Sequence, residues 1–109
     1  MNILLEPNLR ISGTNENGTF EIAVEKVFRS SSMGGNPIAV GTVTVGKIWP
    51  KNKVDISFPG TNQTLACTAR EIQKNGTTVK VAVENESIGI LIGGTKFHKI
   101  REYNKTKRN

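Results

Sequence analysis

The sequence predicts a single all-β domain, either a small closed barrel or a sandwich. Three observations predict it. Apolar residues recur at every second position in short runs. The runs are rich in Val, Ile and Thr and are separated by Gly, Pro and Asn turns. No long stretch places apolar residues at i, i+3, i+4 and i+7, so helix signals are almost absent. A length of 109 residues gives one domain with one modest core.

The elements follow in order. Residues 1–19 form an N-terminal extension whose Ile3, Leu4 and Leu5 offer an edge strand; Ser12 to Gly18 is turn-rich. Phe20, Ile22 and Val24 alternate, and the phase shifts at Val27, which places a bulge near Glu25 and Lys26. Ser30 to Asn36 is a polar loop, and Pro50 to Asn52 and Pro59-Gly60 are turns. Val54, Ile56 and Phe58 alternate, as do Val79, Val81 and Val83, and then Ile88, Ile90 and Ile92. Asn75-Gly76 is the pair that a tight type I′ hairpin prefers. The expected core is Phe20, Ile22, Val24, Ile38, Val40, Val43, Val54, Ile56, Leu65, Val79, Val81, Ile88, Ile90 and Ile92. The barrel domain is expected over 20–103, with His98 on a charged strand, followed by a frayed basic tail over 104–109.

Composition narrows the function. Cys67 and His98 are the only cysteine and histidine, so neither an internal disulfide nor a structural zinc site is available, and Cys67 is expected to pack as a small apolar residue. Asp55 is the only aspartate, and Glu84 and Glu86 read as a solvated turn, which leaves no paired-carboxylate or metal chemistry. No nucleophile–base pair stands out, so the chain is expected to be no enzyme and to need no cofactor. The longest apolar run, Ile88 to Ile92, is interrupted by Gly89 and is far short of the about 20 residues of a membrane span. The N-terminus has no basic region ahead of its apolar residues, so a cytoplasmic location is expected. Five Asn-x-Ser/Thr triplets, at Asn17, Asn62, Asn75, Asn85 and Asn104, read as chance in a chain rich in Asn and Thr.

Gly41 to Lys47 fits the first seven positions of a phosphate-binding Gly-x-x-x-x-Gly-Lys loop. Ile48 stands where a Ser or Thr should hold magnesium, and Trp49-Pro50 follows where a helix should open. No nucleotide is expected there. The glycines are expected to serve strand curvature and a turn.

Net charge is +6, and from Lys96 onward six basic residues oppose only Glu102. Such a balance favours polyanions, nucleic acid above all. Lys47, Lys51 and Lys53 gather around one turn and Lys74 flanks the Asn-Gly hairpin. With Lys96, Lys99 and Arg101 they are the candidate phosphate contacts. Trp49 is the best candidate for a ring exposed to bases, its alternative being a lid over one barrel end.

Three segments, Phe20-Glu-Ile-Ala-Val-Glu-Lys-Val-Phe28, Gly41-Thr-Val-Thr-Val-Gly-Lys-Ile48 and Ala82-Val-Glu-Asn-Glu-Ser-Ile-Gly-Ile-Leu-Ile-Gly-Gly94, resemble in order and spacing the second domain of translation GTPases such as elongation factor Tu. The resemblance covers about three quarters of the chain. It implies a Greek-key barrel of six to seven antiparallel strands, with an RNA or a translation-associated protein as partner. It also implies that Phe28, Ser30, Ile38, Val40, Gln73 and Leu91 correspond to the lining of that family's pocket for the end of an aminoacyl-tRNA. The expected function is thus a non-catalytic module binding structured RNA, tRNA or rRNA, through phosphate contacts. The alternative is a protein-interaction adaptor docking on a GTPase or another partner.

Overall fold

The computed structural model describes residues 3–30, 35–58, 60 and 63–106. Ser31 to Gly34 of the polar loop, Pro59 of its turn, Asn62 and residues 107–109 of the tail lie outside them. Seven strands are followed by one helix: β1 Ile3–Asn15, β2 Gly18–Arg29, β3 Pro37–Val45, β4 Lys53–Ser57, β5 Thr64–Lys74, β6 Thr77–Val79, β7 Ser87–Gly93 and α1 Phe97–Thr106.

The strands run β4-β1-β2-β3-β7-β5-β6, all antiparallel. The β4–β5 ladder, Lys53 with Thr68 through Ser57 with Thr64, closes six of them into a barrel. The spatial order β4-β1-β2-β3 is a Greek key. β1 has a partner on each side, β2 and β4. β6 stands outside the ring as the second arm of the Asn75-Gly76 hairpin, whose two turn residues have φ of 54° and 80°, as a type I′ turn needs.

The closed ladder is strongly staggered. From Ile11 one path runs through Ile22 and Val43 to the carbonyl of Glu86. The other runs through Ile56 to Leu65, three residues before the Thr68 that faces Gly93. The two paths reach the β7 chain about ten residues apart, so the strands tilt steeply around the axis. All-antiparallel pairing sends alternate connections to opposite ends. One end gathers the β1–β2, β3–β4 and β5–β6 connections; the other gathers β2–β3, β4–β5 and α1.

Side chains from every strand of the ring fill the interior, with Ile11, Phe20, Val43, Ile72 and Ile90 fully buried. Each end is plugged. Ile48 pairs with Ala82 across one end, and both are fully buried. At the other, Phe97 and Ile100 of α1 join the core, and Tyr103 packs on Phe58 with ring centroids 5.4 Å apart. Among the described residues no helix is long and apolar enough to cross a membrane.

The bulge expected near Glu25 is present: the β2–β3 register slips between Val24 and Lys26. Other expectations are corrected. Ile38 and Val40 are half-buried on the outer face, because β3 turns Ala39, Gly41 and Val43 inward. Val81 is 37% exposed, and Ala82 takes the interior position. Leu65 and Val79 are only partly buried against the core. His98 sits on a helix rather than a strand. That helix runs past the expected tail boundary to Thr106 and buries Asn104 to 2% exposure. Among the described residues, the Oδ1 of Asn104 has no hydrogen-bond partner.

Gly41 and Gly46 have steric roles. A Cβ on Gly41 would overlap the Ala23 carbonyl. Gly46 has φ of 69°, and a Cβ there would overlap the Thr19 carbonyl. Gly41 to Lys47 is thus a strand and a turn, with no helix opening after it.

Cys67 is buried, and burial, aided by the negative charge of Asp55, pushes its thiol up to about 12 from an ordinary 9.0. Native protein is therefore expected to resist alkylation at pH 9, while urea-unfolded protein reacts at once. The folded value lies above the unfolded one, so between pH 9 and 12 the unfolded thiol loses its proton first. Stability should fall with rising pH across that window, by up to about 1.4 kcal/mol per unit. Alkylation of native protein as fast as of unfolded protein would contradict the burial.

Candidate nucleic-acid interface

The seven basic residues singled out in the sequence do not form one patch. Lys47 and Lys51 belong to the turn between β3 and β4, and Lys74 ends β5 at the same end of the barrel. Lys96, Lys99 and Arg101 lie at the opposite end, before and along α1. Lys53 stands between, on the rung that joins Lys53, Thr68 and Gly93 across β4, β5 and β7.

Their availability differs as well. Lys74 is ion-paired with Glu86, and this contact, with the Val83 N–H on the other carboxylate oxygen, holds the Glu86 carboxyl below its usual range. Glu84 accepts from the Gly46 N–H at 3.1 Å. The two glutamates therefore organise the 80–86 loop instead of forming a merely solvated turn. Lys96 donates to Asn36 Oδ1 at 3.1 Å, and the Arg101 guanidinium sits 5.7 Å from the Phe97 ring centre. Lys47, Lys51, Lys53 and Lys99 are exposed, and among the described residues no carboxylate is paired with them.

Lys51 also carries backbone strain. Its φ is 76°, a region that favours glycine, and its N–H reaches the Ala69 carbonyl at 2.6 Å. The Ala69 N–H returns a bond to the Asn52 carbonyl at 2.9 Å. This exchange fastens the turn onto β5 and forces the left-handed backbone on a residue poorly suited to it.

A shallow groove of about 570 Å³ runs along the barrel wall beside Lys53. β1 and β4 pair only over Arg10 to Ser12 and part beyond it, which opens the groove. Gly13, Thr14, Lys53, Asp55 and Thr68 line it, and Gly94 ends it two residues before Lys96. Its residues are small apart from Lys53, so a polar chain can approach the barrel backbone closely; Asp55 is its single acid.

The six residues matched to the translation-factor pocket lie on a different face. Register places Phe28, Ile38 and Leu91 side by side on one rung of β2, β3 and β7. The next rung carries Lys26, Val40, Gly89 and Gln73. These side chains point outward, opposite in phase to buried Val27, Ala39 and Ile90. Leu91 is nevertheless only 6% exposed, and Gln73 is exposed. Ser30 is buried where the β2–β3 loop closes, with its N–H on the Asn36 carbonyl at 3.0 Å.

The sequence does not reveal that the hairpin tip of β1 and β2 meets the Lys47 to Asn52 turn. Asn15 Nδ2 donates to the Lys47 carbonyl at 2.8 Å and to Asn52 Oδ1 at 3.0 Å. Asn52 Oδ1 also accepts the Trp49 N–H at 2.9 Å. Trp49 is half-buried and lines a cavity of about 320 Å³ beneath this junction. Asn15 lies more than thirty residues before Lys47, Trp49 and Asn52, and only the asparagine content hinted at the junction.

Among the described residues no group of three or more His, Cys, Asp or Glu side chains is placed to hold a metal. No protein-family model matches the chain, and no curated protein matches it in sequence.

Proposed function

We propose that this chain is a non-catalytic binding module, of the kind that translation factors carry as a β-barrel, and that it holds structured RNA, tRNA or rRNA, through phosphate contacts. The observation that carries the reading is the shallow wall groove lined by Lys53, which in the chain follows the Lys47 and Lys51 turn, and by Gly94, two residues before Lys96. Exposed lysines without acidic partners cost little to bring against phosphates, because no existing ion pair must be broken. The Lys47 and Lys51 turn and α1 lie at opposite ends of the barrel, within a particle of 36 × 31 × 21 Å, so a ligand that meets both must be extended or structured enough to span them. Such contacts fix position and carry no sequence information of their own.

The outward row Phe28, Ile38 and Leu91 favours a second reading, an adaptor that docks on a GTPase or another protein through this apolar face. Capture from lysate with and without nuclease separates the two. The RNA reading expects tRNA or rRNA to be recovered and co-captured proteins to leave on nuclease treatment. A protein partner retained after nuclease, with no RNA recovered at moderate salt, would replace it with the adaptor.

A further inference from the structure

We infer that the cavity between the β1–β2 hairpin tip and Trp49 is a subsite for one unpaired guanine base of the bound RNA. The inference rests on the RNA reading above and adds to it a base-specific contact. The cavity, about 320 Å³, is lined by Asn15, Glu16, Asn17, Trp49 and Asn52, within the usual range for small-ligand sites. Its frame is rigid. Both Asn15 Nδ2 protons are spent on Lys47 O and Asn52 Oδ1, and Asn15 Oδ1 accepts the Asn17 N–H at 2.9 Å. Asn52 Oδ1 receives two donors, from Asn15 and from the Trp49 backbone. The groups left over are the Trp49 ring, the Glu16 carboxylate and the Asn17 side-chain amide, and among the described residues neither polar group has a hydrogen-bond partner.

Those three groups define the ligand. An indole face takes a flat ring by stacking, as aromatic side chains do with unpaired bases. An ionised carboxylate only accepts hydrogen bonds. Guanine presents two adjacent donors, N1–H and the N2 amino group, which one carboxylate meets together, and its O6 is an acceptor for the Asn17 amide. Adenine and cytosine set an acceptor nitrogen beside their amino group, and uracil flanks its N3–H with two carbonyls; each would turn an acceptor toward Glu16. Reading an unstacked base on its Watson–Crick edge is the usual mode of single-stranded RNA recognition. Lys47 and Lys51, exposed on the same turn as Trp49, supply charge for the flanking phosphates.

Trp49 is the only tryptophan, so its fluorescence reports this cavity alone. The experiment titrates the full chain with hexauridylate, and with hexamers carrying a single guanine, adenine or cytosine at the fourth position. Quenching by the guanine hexamer is expected at a concentration roughly tenfold or more below the others, the discrimination of one good bidentate contact. Glu16→Gln and Asn17→Ala, both in an exposed turn, should erase most of that preference while salt-sensitive retention of tRNA or rRNA is unchanged. Equal quenching by all four hexamers, or a guanine preference that survives Glu16→Gln, overturns the subsite and leaves the phosphate-led reading standing. Quenching by free guanosine monophosphate as strong as by the hexamer reassigns the cavity to a free nucleotide and overturns the RNA assignment. If no RNA is retained by the unmodified chain at any salt, the parent reading falls and this one with it.

Discussion

Replacing Phe20 by alanine is expected to remove about 3–5 kcal/mol of folding stability. Its ring is fully buried and lies over Gly13, where even a single added Cβ would come within 2.6 Å of it. The β1–β2 register pairs Gly13 with Phe20, so the glycine makes the space that the ring fills. Without the ring, a void opens between β1 and β2 that a closed ladder cannot collapse onto, because moving either strand breaks hydrogen bonds on its far side. Domains of this size hold only about 5–15 kcal/mol in total, so the variant should be near its unfolding threshold. Urea titration should show a lowered midpoint with an unchanged slope. Ile90→Ala, also fully buried, should cost about 2–5 kcal/mol. Phe28→Ala, on the half-buried outer face, is the control and should cost far less. A Phe20→Ala midpoint matching that of Phe28→Ala would show that the interior is not packed as described.

The second large effect concerns RNA. If Lys47, Lys51, Lys53, Lys96, Lys99 and Arg101 each neutralise a phosphate, log K should fall with log salt at a slope of roughly −4 to −5. Affinity would then drop on the order of several hundred-fold between about 50 and 200 mM salt. Lys74, held by Glu86, should contribute little, so Lys74→Ala should leave the slope nearly unchanged. Alanine at Lys47 or Lys53 should reduce it by roughly one contact and weaken many RNA sequences alike. Lys51→Gly gives the sharpest test. Glycine relieves the left-handed strain and should stabilise the fold by roughly 1 kcal/mol, while RNA affinity falls. A more stable protein that binds less well ties Lys51 to binding, since damage to the fold cannot explain the loss. A slope near zero, or full affinity in Lys47→Ala and Lys51→Gly, would end the phosphate-led reading.

The all-β class, the bulge at Glu25 and the Asn75-Gly76 hairpin are legible in the sequence alone, which misplaces some strand bounds: β1 runs on to Asn15 and β6 stops at Val79. The three legible features depend on neighbours: alternation of apolar residues, one extra residue in a ladder, two residues able to take positive φ. The sequence also shows that Gly41 to Lys47 is a strand and a turn, since β-forming residues run straight into Trp49-Pro50. It misjudged β3, where Ile38 and Val40 carry larger side chains than Ala39 and Gly41. Size favoured the wrong phase, and the close approach of the Ala23 carbonyl, which admits only glycine at 41, set the right one. It missed α1 because Phe97 and Ile100 are followed on the buried face by Asn104, a polar residue that hides the helical period.

Which side chains meet follows from how the ring closes. Closure of β4 on β5 with a stagger of about ten residues sets the level of every strand relative to its neighbours. That stagger puts Lys53 beside Thr68 and Gly93, while the antiparallel order of the strands sends Lys96, Lys99 and Arg101 to the end opposite Lys47 and Lys51. It also seats the β1–β2 hairpin tip on Trp49. Sequence spacing carries no information on these distances, because a barrel's register is fixed by ladder hydrogen bonds and by the packing of its interior, summed around the whole ring.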